Sequence, residues 1–393
     1  MEKEPVGKIC AEDAVHYQDL ARQYAKKMIN PMLEGEFSDG DLSRLPDILK
    51  TAFEIGIATT PDESLAGCQY GIWGGALGET GLAPSLLLLS MIAETCGGVA
   101  MCLHAQGVAT NLILQAKNKL PFVPVRAAVC FQEGFCPPFS GTIMSPDKDV
   151  PAKIATIAEK KNDQYVINGS KSFVYSMDSM DACVVFARVT NQWGCFLVDA
   201  KEKGIEKKDV GVRTGLRACC VDHLEFHDVK VPLTARMDDG NARNLVMRTM
   251  SLNWAGMAAI AVGIAKGASA AARKYAGERY QGGTQLNEHP AVKMLIAGAE
   301  ASTAAAEAAL FHLQGDDLIS LNHLKKTAAV KLSVMELCSR AVTDCLQAFG
   351  GYGYMEDYGM EKRLRDVTVL KSASGSSTYL KQFVFDVAKE GAL

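Results

Sequence analysis

The feature that most constrains the fold is the spacing of apolar residues, which changes twice along the chain. Up to about residue 125, apolar residues recur at helical spacing, as in segments 14–28 and 42–55. Between residues 126 and 235 the chain turns to short runs rich in Val, Ile, Phe and Tyr, separated by turn residues. After that stretch the helical spacing returns in long segments rich in alanine.

This segregated order predicts an α+β fold rather than a doubly wound α/β sheet. We expect an N-terminal helical domain over residues 1–125, a middle antiparallel β-domain over 126–235 and a C-terminal four-helix bundle over 236–393. The predicted strands cover residues 128–131, 153–159, 164–175, 183–189, 194–199 and 223–231. The predicted helices of the bundle cover residues 247–280, 289–313 and 324–349.

Charge and hydropathy argue against several functions. The 393 residues carry a net charge of -4 with scattered basic residues, so we expect no surface for nucleic acid or for an anionic membrane. The most apolar stretch, 85–93, is too short to cross a bilayer, and no secretory signal is visible at the N-terminus. The 12 cysteines form no CxxC pair, which predicts reduced thiols and a cytoplasmic location.

Motifs for several other cofactors are missing from the sequence. No GxGxxG follows a strand, and no Walker loop is present. His223 and His227 lie four residues apart on a predicted strand, and we expect no acidic or cysteine ligand beside them to complete a zinc site. The sequence therefore predicts no metal site.

A glycine-rich segment near the C-terminus gives the strongest indication of ligand binding. Residues 347–358 read QAFGGYGYMEDY and are followed by Arg365 and Asp366. A glycine pair lets the backbone come close to a ligand, and its free amides suit a diphosphate. A helix C-cap followed by a tight turn explains the same residues, and the residues alone favour that simpler interpretation.

Segment 347–358 resembles the C-terminal signature of the acyl-CoA dehydrogenase family, and three further segments agree with it. Residues 278–283, ERYQGG, are similar to the family's arginine-containing FAD motif. Residues 215–232 resemble the exit from its β-domain, and residues 45–56 resemble its N-terminal helix. The four segments stand in the family's order and span nearly the whole chain.

The resemblance implies a homotetramer that holds FAD between the β-domain and the bundle, partly across a subunit interface. Arg279 and Gln281 would reach the neighbour's FAD, and an arginine suits its diphosphate. The diphosphate would be lined from its own subunit by Gln347, Gly350 and Gly351. The remaining FAD contacts implied by the family are Gln132, Phe173, Tyr175, Ser376 and Thr378. The resemblance also implies an acyl-CoA substrate and an electron-transferring flavoprotein as electron acceptor.

The chain departs from the family at the catalytic base. In many members a Glu removes the α-proton of the thioester while a β-hydride moves to the flavin. Ser374 stands at that position here and Asn253 at the family's second known position, and neither can serve as a carboxylate base. His104 is a candidate replacement because a neutral imidazole can accept a proton, but a hydrogen-bonded core histidine is the more ordinary interpretation.

The sequence around the substrate also departs from the family. Segment 133–151 is longer than the short glycine-rich loop of other members, which favours reshaped substrate recognition over a drifted surface loop. Segment 84–98 contains no arginine, so we expect an apolar floor that suits a hydrocarbon or alicyclic acyl group. Glu94 and Glu133 are expected to be structural.

Two functions are compatible with these residues. The first is an FAD-dependent oxidoreductase acting on an acyl-CoA thioester. Without the usual base, its reaction widens to an atypical dehydrogenation, the reduction of an enoyl-CoA, or the loss of a substrate group. The second is a catalytically silent partner subunit that binds FAD or acyl-CoA within a hetero-oligomer.

Overall fold

The computed structural model of the chain describes residues 11–34, 39–61, 71–74, 81–116, 120–133, 154–176, 179–313 and 317–390. Most of the 133–151 segment and the start of the chain lie outside these ranges. The N-terminal domain contains helices α1 (Ala11–Tyr24), α2 (Asn30–Leu33), α3 (Leu45–Glu54), α4 (Ala83–Thr95) and α5 (Gly97–Leu114). Every residue of α5 from Gly97 to Ile113 is buried, so this helix lies at the centre of the protein.

The β-domain is a single sheet of seven strands within the described residues. The strands are β1 (Ala127–Cys130), β2 (Ile157–Lys161), β3 (Gln164–Ser176), β4 (Ala182–Val189), β5 (Gln192–Asp199), β6 (Ile205–Asp209) and β7 (Cys220–Pro232). Their order is β1-β4-β2-β3-β7-β6, with β5 paired to β4. All six predicted strands are present.

Two features of the sheet differ from the sequence-based prediction. The sheet is mixed rather than wholly antiparallel, because β1 runs parallel to β4 and a single pairing joins β2 to β4 in the same sense. Strand β6 was not predicted. Four of its five residues are exposed, so it has no apolar alternation from which a strand could be read.

The C-terminal domain is helical, as predicted. Its helices are α6 (Ala242–Glu278), α7 (Pro290–Phe311), α8 (Leu321–Ala348), α9 (Met360–Ser372) and α10 (Ser377–Glu390). A short hairpin, β8 (Tyr280–Gln281) and β9 (Thr284–Gln285), connects α6 to α7. Helix α8 is capped by the preceding residue, Ser320, whose hydroxyl accepts a hydrogen bond from the backbone N–H of His323.

The N-terminal and C-terminal helices share one core. A Cβ atom at Gly263 would lie 2.0 Å from the carbonyl oxygen of Ser90, and one at Gly267 would lie 2.1 Å from that of Glu94. Helices α4 and α6 therefore touch backbone to backbone, which only glycine permits. One face of the sheet joins this core through Phe186, among others, while the other face has its own apolar cluster. The functional site lies where the sheet meets these helices.

Three described helices are long and apolar enough to cross a bilayer on length and composition alone. They are α5, α6 and α7, and none of them overlaps segment 85–93, the only stretch weighed as a span from the sequence. In α5 and α6 the most apolar windows are 94% and 83% buried inside the protein, whereas in α7 the figure is 28%. The apolar residues of the first two therefore form protein core, and the absence of a membrane span stays a prediction.

Candidate active site

A cleft opens where the β-domain meets α5, α6 and the turn between α9 and α10. It encloses about 690 Å³ of space that is open to solvent. The described lining residues are Met101, Ala105, Val108, Val129, Phe131, Gln132, Phe173, Tyr175, Met250, Asn253, Trp254, Ser374 and Tyr379. Four predicted site residues, Gln132, Phe173, Tyr175 and Ser374, thus meet in one place, together with Asn253.

Two residues predicted to face the flavin, Phe173 and Tyr175, lie at an irregularity in β3. The pairing of β3 with β7 shifts register between Lys171 and Val174, and Phe173 within that shift has a φ of 53°. The positive φ turns the Phe173 ring out of the sheet, and 39% of this residue is therefore exposed. The backbone N–H of Ser172 donates to the carbonyl oxygen of Gln132 at 2.8 Å, which ties β3 to the end of β1.

Ser374 lies in a tightly held turn after α9. Its φ is 49°, in the left-handed region that side chains rarely adopt. Its carbonyl oxygen accepts a hydrogen bond from Trp254 Nε1 at 2.7 Å. The carbonyl oxygens of the residues before and after it, Ala373 and Gly375, accept hydrogen bonds from Lys331 Nζ at 2.5 and 3.0 Å. Three consecutive carbonyls are therefore fixed by buried donors, and the backbone at Ser374 has little freedom.

Lys331 is a residue that the sequence analysis missed. It is fully buried on α8, and burial lowers the pKa of its ammonium group to about 7. A lysine in the middle of an amphipathic helix gives no local signal of this role, because its partners lie more than forty residues further along the chain. Trp254 was missed for the same reason, because its partner Ser374 lies 120 residues further along the chain. Tyr379, which follows the selected Thr378, was also missed as a lining residue.

His104 does not line the cleft. It is completely buried behind Asn253, between that residue and Trp73. Trp73 Nε1 lies 2.8 Å from His104 Nδ1, and His104 Nε2 lies 3.2 Å from Asn253 Oδ1. Burial lowers the pKa of His104 to about 4, although the hydrogen bond to Asn253 acts in the opposite direction. The geometry therefore matches the core histidine rather than the substrate base that the sequence left open.

None of the described residues that line the cleft is a carboxylate. Glu133 accepts hydrogen bonds from Lys171 Nζ at 2.6 Å and from the backbone N–H groups of Ala155 and Thr156. Burial would raise the pKa of Glu133, but the charge of Lys171 and these hydrogen bonds outweigh it and lower the pKa. Glu94 pairs with Lys266 at 3.2 Å. Both glutamates are therefore in structural contacts, as expected.

A second group of predicted cofactor residues lies at the far end of the bundle. The Arg279 guanidinium lies 5.2 Å from the centre of the Tyr352 ring. Tyr352 directly follows Gly350 and Gly351 in the chain. No atom lies within 4 Å of a Cβ built on either glycine, so their backbone faces open space. Gln281 and Gln347 are exposed at the same end.

The turn beside the cleft contacts the middle of α8, whereas this second group lies at the C-terminal end of the helix. Lys331 contacts the Ser374 turn, and Ala348 ends the helix just before Gly350. The intervening helix rises about 25 Å at 1.5 Å per residue. Because Arg279 touches the 350–354 turn within one chain, the two belong to one surface. This contact does not assign either residue to a particular subunit's FAD, so the expectation that Arg279 serves the neighbour while Gly350 serves its own subunit stays a prediction.

Ser376 and Thr378 do not line the cleft. Both are exposed near the start of α10. The Ser376 hydroxyl accepts a hydrogen bond from the backbone N–H of Tyr379 at 3.3 Å, so it caps the helix. Their assignment to FAD stays a prediction.

Among the residues that the structure describes, one group of potential metal ligands comes together. Atoms of Glu206, Glu225 and His227 lie within 4.8 Å of one another at the exposed edge of the sheet, contrary to the expectation that no acidic residue lies beside this histidine. His223 is not part of the group. Lys208 Nζ already lies 2.8 Å from Glu225 Oε2, which balances the acidic charge. The absence of a metal stays a prediction.

Comparison with known proteins identifies the family. Residues 148–229 match the model of the acyl-CoA dehydrogenase middle domain, and residues 243–388 match that of the acyl-CoA dehydrogenase C-terminal domain. The short-chain-specific acyl-CoA dehydrogenase of Clostridium acetobutylicum is 27% identical over 93% of this chain and 94% of its own.

The chain is also similar to a second curated relative and, in fold, to a solved structure. The caffeyl-CoA reductase-Etf complex subunit CarC of Acetobacterium woodii is 29% identical over 57% of this chain, and the match spans only 61% of that subunit. The structure of an acyl-CoA dehydrogenase complexed with FAD from Bacillus anthracis superposes with a TM-score of 0.78 at 18% identity, over 98% of this chain and 68% of that one. The chain belongs to the acyl-CoA dehydrogenase family.

Proposed function

We propose that the chain is an FAD-dependent oxidoreductase that acts on the CH–CH bond of an acyl-CoA thioester. The observation that carries the proposal is the cleft at the junction of sheet and helices, which gathers Gln132, Phe173, Tyr175 and Ser374 from three separate parts of the sequence. Family membership supports the flavin-dependent reaction, and the cleft is where we propose that it takes place.

The residues present fit FAD. Gly350 and Gly351 offer backbone beside open space, where a Cβ would otherwise stand. Nε of Arg279 is buried without a hydrogen-bond partner among the described residues, although its guanidinium also faces Tyr352. A cation beside bare amides suits a diphosphate. We propose that these three residues hold the diphosphate, and that Gln132, Phe173 and Tyr175 surround the ring.

The separation of about 25 Å along α8 favours assembly. We propose that the diphosphate group of one chain and the cleft of another serve the same FAD, within the homotetramer that the family resemblance implies. We further propose an electron-transferring flavoprotein as redox partner, because one relative is a subunit of an Etf complex. A cytoplasmic location is part of the same proposal.

The residues that line the cleft favour an unusual course for the proton. When bound, the flavin would exchange a hydride equivalent with the β-carbon of the substrate. Removal of the α-proton needs a base, and a serine hydroxyl and an amide at positions 374 and 253 offer none. We propose an atypical dehydrogenation remote from the thioester, an enoyl-CoA reduction whose α-carbon takes its proton from solvent, or the loss of a substrate group that leaves its bonding electron pair on the substrate. None of the three needs a carboxylate at position 374 or 253.

Flavin spectroscopy tests the proposal. The purified protein should be yellow, and its flavin should bleach anaerobically with a matching acyl-CoA or, once chemically reduced, regain colour with a matching enoyl-CoA. A colourless protein that does not take up added FAD would refute the proposal. So would a flavin whose spectrum ignores a broad panel of thioesters in both redox states.

A second candidate is a catalytically silent partner subunit. The observation in its favour is that His104 is held between Trp73 and Asn253, while Glu94 and Glu133 pair with lysines. Under this alternative the protein binds FAD or acyl-CoA without redox change in either direction. It would also co-purify with a second family member that carries a glutamate, and that complex would turn over.

A further inference from the structure

The buried contact between Trp73, His104 and Asn253 fixes the direction of every hydrogen bond in it. An indole Nε1 can only donate, so His104 Nδ1, 2.8 Å away, must be the acceptor. A histidine with a bare Nδ1 is neutral and carries its single proton on Nε2. That Nε2–H therefore donates across 3.2 Å to Asn253, and the Asn253 atom facing it must be the amide oxygen.

Packing holds this arrangement in place. Trp73 and His104 are both completely buried, and their rings meet edge to face with centroids 6.0 Å apart. Gly256 lies one helical turn beyond Asn253 on α6. A Cβ there would come within 2.3 Å of His104 Nδ1 and Cε1, so the imidazole rests directly on the helix backbone. The low pKa of His104, about 4, means that the neutral ring persists at ordinary pH.

The hydrogen bond from His104 also determines where the amide N–H donors of Asn253 point. Because its oxygen faces His104, its two amide N–H donors face away from His104, and Asn253 lines the cleft. Ser374 lines the same cleft, its hydroxyl makes no hydrogen bond to another described residue, and its backbone is fixed by Trp254 and Lys331. A purely hydrocarbon acyl group would displace water from these donors without replacing its hydrogen bonds, which is costly.

We propose that the cleft selects acyl-CoA thioesters whose acyl chain carries a hydrogen-bond-accepting oxygen, and that Asn253 donates to it. His104 and Trp73 are positioning residues that hold the Asn253 amide in the required direction. The inference rests on the proposed function and names the substrate class of the same site. It replaces the expectation of an apolar floor suited to a hydrocarbon or alicyclic acyl group.

Equilibrium binding to the intact flavoprotein tests the proposal, with pentanoyl-CoA and its 3-oxo and 4-oxo derivatives as probes. The chain length is the same in all three, and only the acceptor oxygen differs. One oxo derivative should bind about threefold to tenfold more tightly than pentanoyl-CoA, the range of one neutral hydrogen bond. In Asn253→Leu that ratio should fall to about one, while pentanoyl-CoA binds as well as before or better.

The positioning role has its own readout. Nitrogen NMR of the wild-type protein should show His104 as the Nε2–H tautomer throughout the range from pH 6 to 8, with His104→Gln identifying the signal. Trp73→Phe keeps a ring of similar shape but removes the donor. Without this donor, His104 should no longer be confined to the Nε2–H tautomer. The preference for the oxo derivatives should fall, while the binding of pentanoyl-CoA is not weakened. A purely structural role of Trp73 would leave the tautomer unchanged.

The outcomes separate the two proposals. If no thioester binds to the wild-type protein, the proposed function fails. If thioesters bind but no oxo derivative is preferred, or the preference survives in Asn253→Leu, the inference about Asn253 is wrong. An equal loss for all three probes in that variant would place the amide on the shared thioester carbonyl and would also overturn it. The wild-type binding ratio and tautomer decide the question even if a variant does not fold.

Discussion

A buried lysine without a carboxylate partner should make the stability of this protein rise with pH. Lys331 Nζ is fully buried, and its hydrogen-bond partners among the described residues are the carbonyl oxygens of Ala373 and Gly375. Burial lowers its native pKa to about 7, whereas an exposed lysine in the unfolded chain titrates near 10.5. The perturbation that isolates this effect is Lys331→Met, which keeps the length of the side chain and removes the amine.

The size of this rise in unfolding free energy follows from the difference in bound protons between the unfolded and the native chain. Below pH 7 both states bind the proton, and the cost of burying the charge is fully present. Between the native and the unfolded pKa the unfolded state binds more protons, so the free energy of unfolding rises with pH. These two pKa values give a rise of about 2 kcal/mol between pH 7 and pH 9, and only a few tenths between pH 6 and pH 7.

Urea unfolding of the wild type and Lys331→Met at pH 6, 7, 8 and 9 measures this rise. Protein and FAD concentrations are held fixed, since binding also shifts the midpoint. The difference in unfolding free energy, wild type minus variant, should grow by about 2 kcal/mol from pH 7 to 9, because titrations common to both proteins cancel. A difference that is flat or falls with pH would refute the reasoning. At pH 9 the variant should be the less stable protein, since two buried carbonyls lose their donor at about 1–3 kcal/mol each.

Three further changes test the site and its support. Ser374→Glu should create ordinary α,β-dehydrogenase activity on a fitting saturated acyl-CoA, a gain of about a hundredfold or more; no gain despite bound FAD and substrate would count against the placement of Ser374. Gly350→Val should lower the FAD content of the purified protein, whereas Gly211→Val, at another left-handed glycine beside open space, should not; equal flavin content in both would place the diphosphate elsewhere. Asp366→Asn removes the charge that Lys362 contacts at 2.5 Å in the core, and should cost about 3–5 kcal/mol of unfolding free energy by urea titration; a loss below 1 kcal/mol would contradict an intact buried pair.

The sequence predicted best what depends on local spacing. The order of helices, strands and helices could be read from hydrophobic period alone, and the bounds of α8 and β3 fall within a few residues of the prediction. The strand at 205–209 was missed because polar residues dominate it, and the parallel pairing of β1 with β4 leaves no local trace. Pairing partners are set by topology rather than by the strand's own residues.

Residue identities also decided part of the chemistry. The family resemblance implies that Ser374 and Asn253 stand at the positions of its bases, and no arrangement of neighbours turns a hydroxyl or an amide into a carboxylate. That constraint followed from the sequence, and the cleft agrees with it, since no described lining residue is acidic.

The tertiary structure decided what the polar residues do. His104 meets partners 31 and 149 residues away, and those partners change it from a possible base into a neutral donor aimed at Asn253. Lys331 likewise acts on a turn more than forty residues further along the chain. Protonation, tautomer and donor direction depend on which groups meet in a buried space, and that meeting is a property of the packed chain. The sequence by itself determined the order of domains and the missing carboxylate, while only the folded protein determined which donors face the cleft.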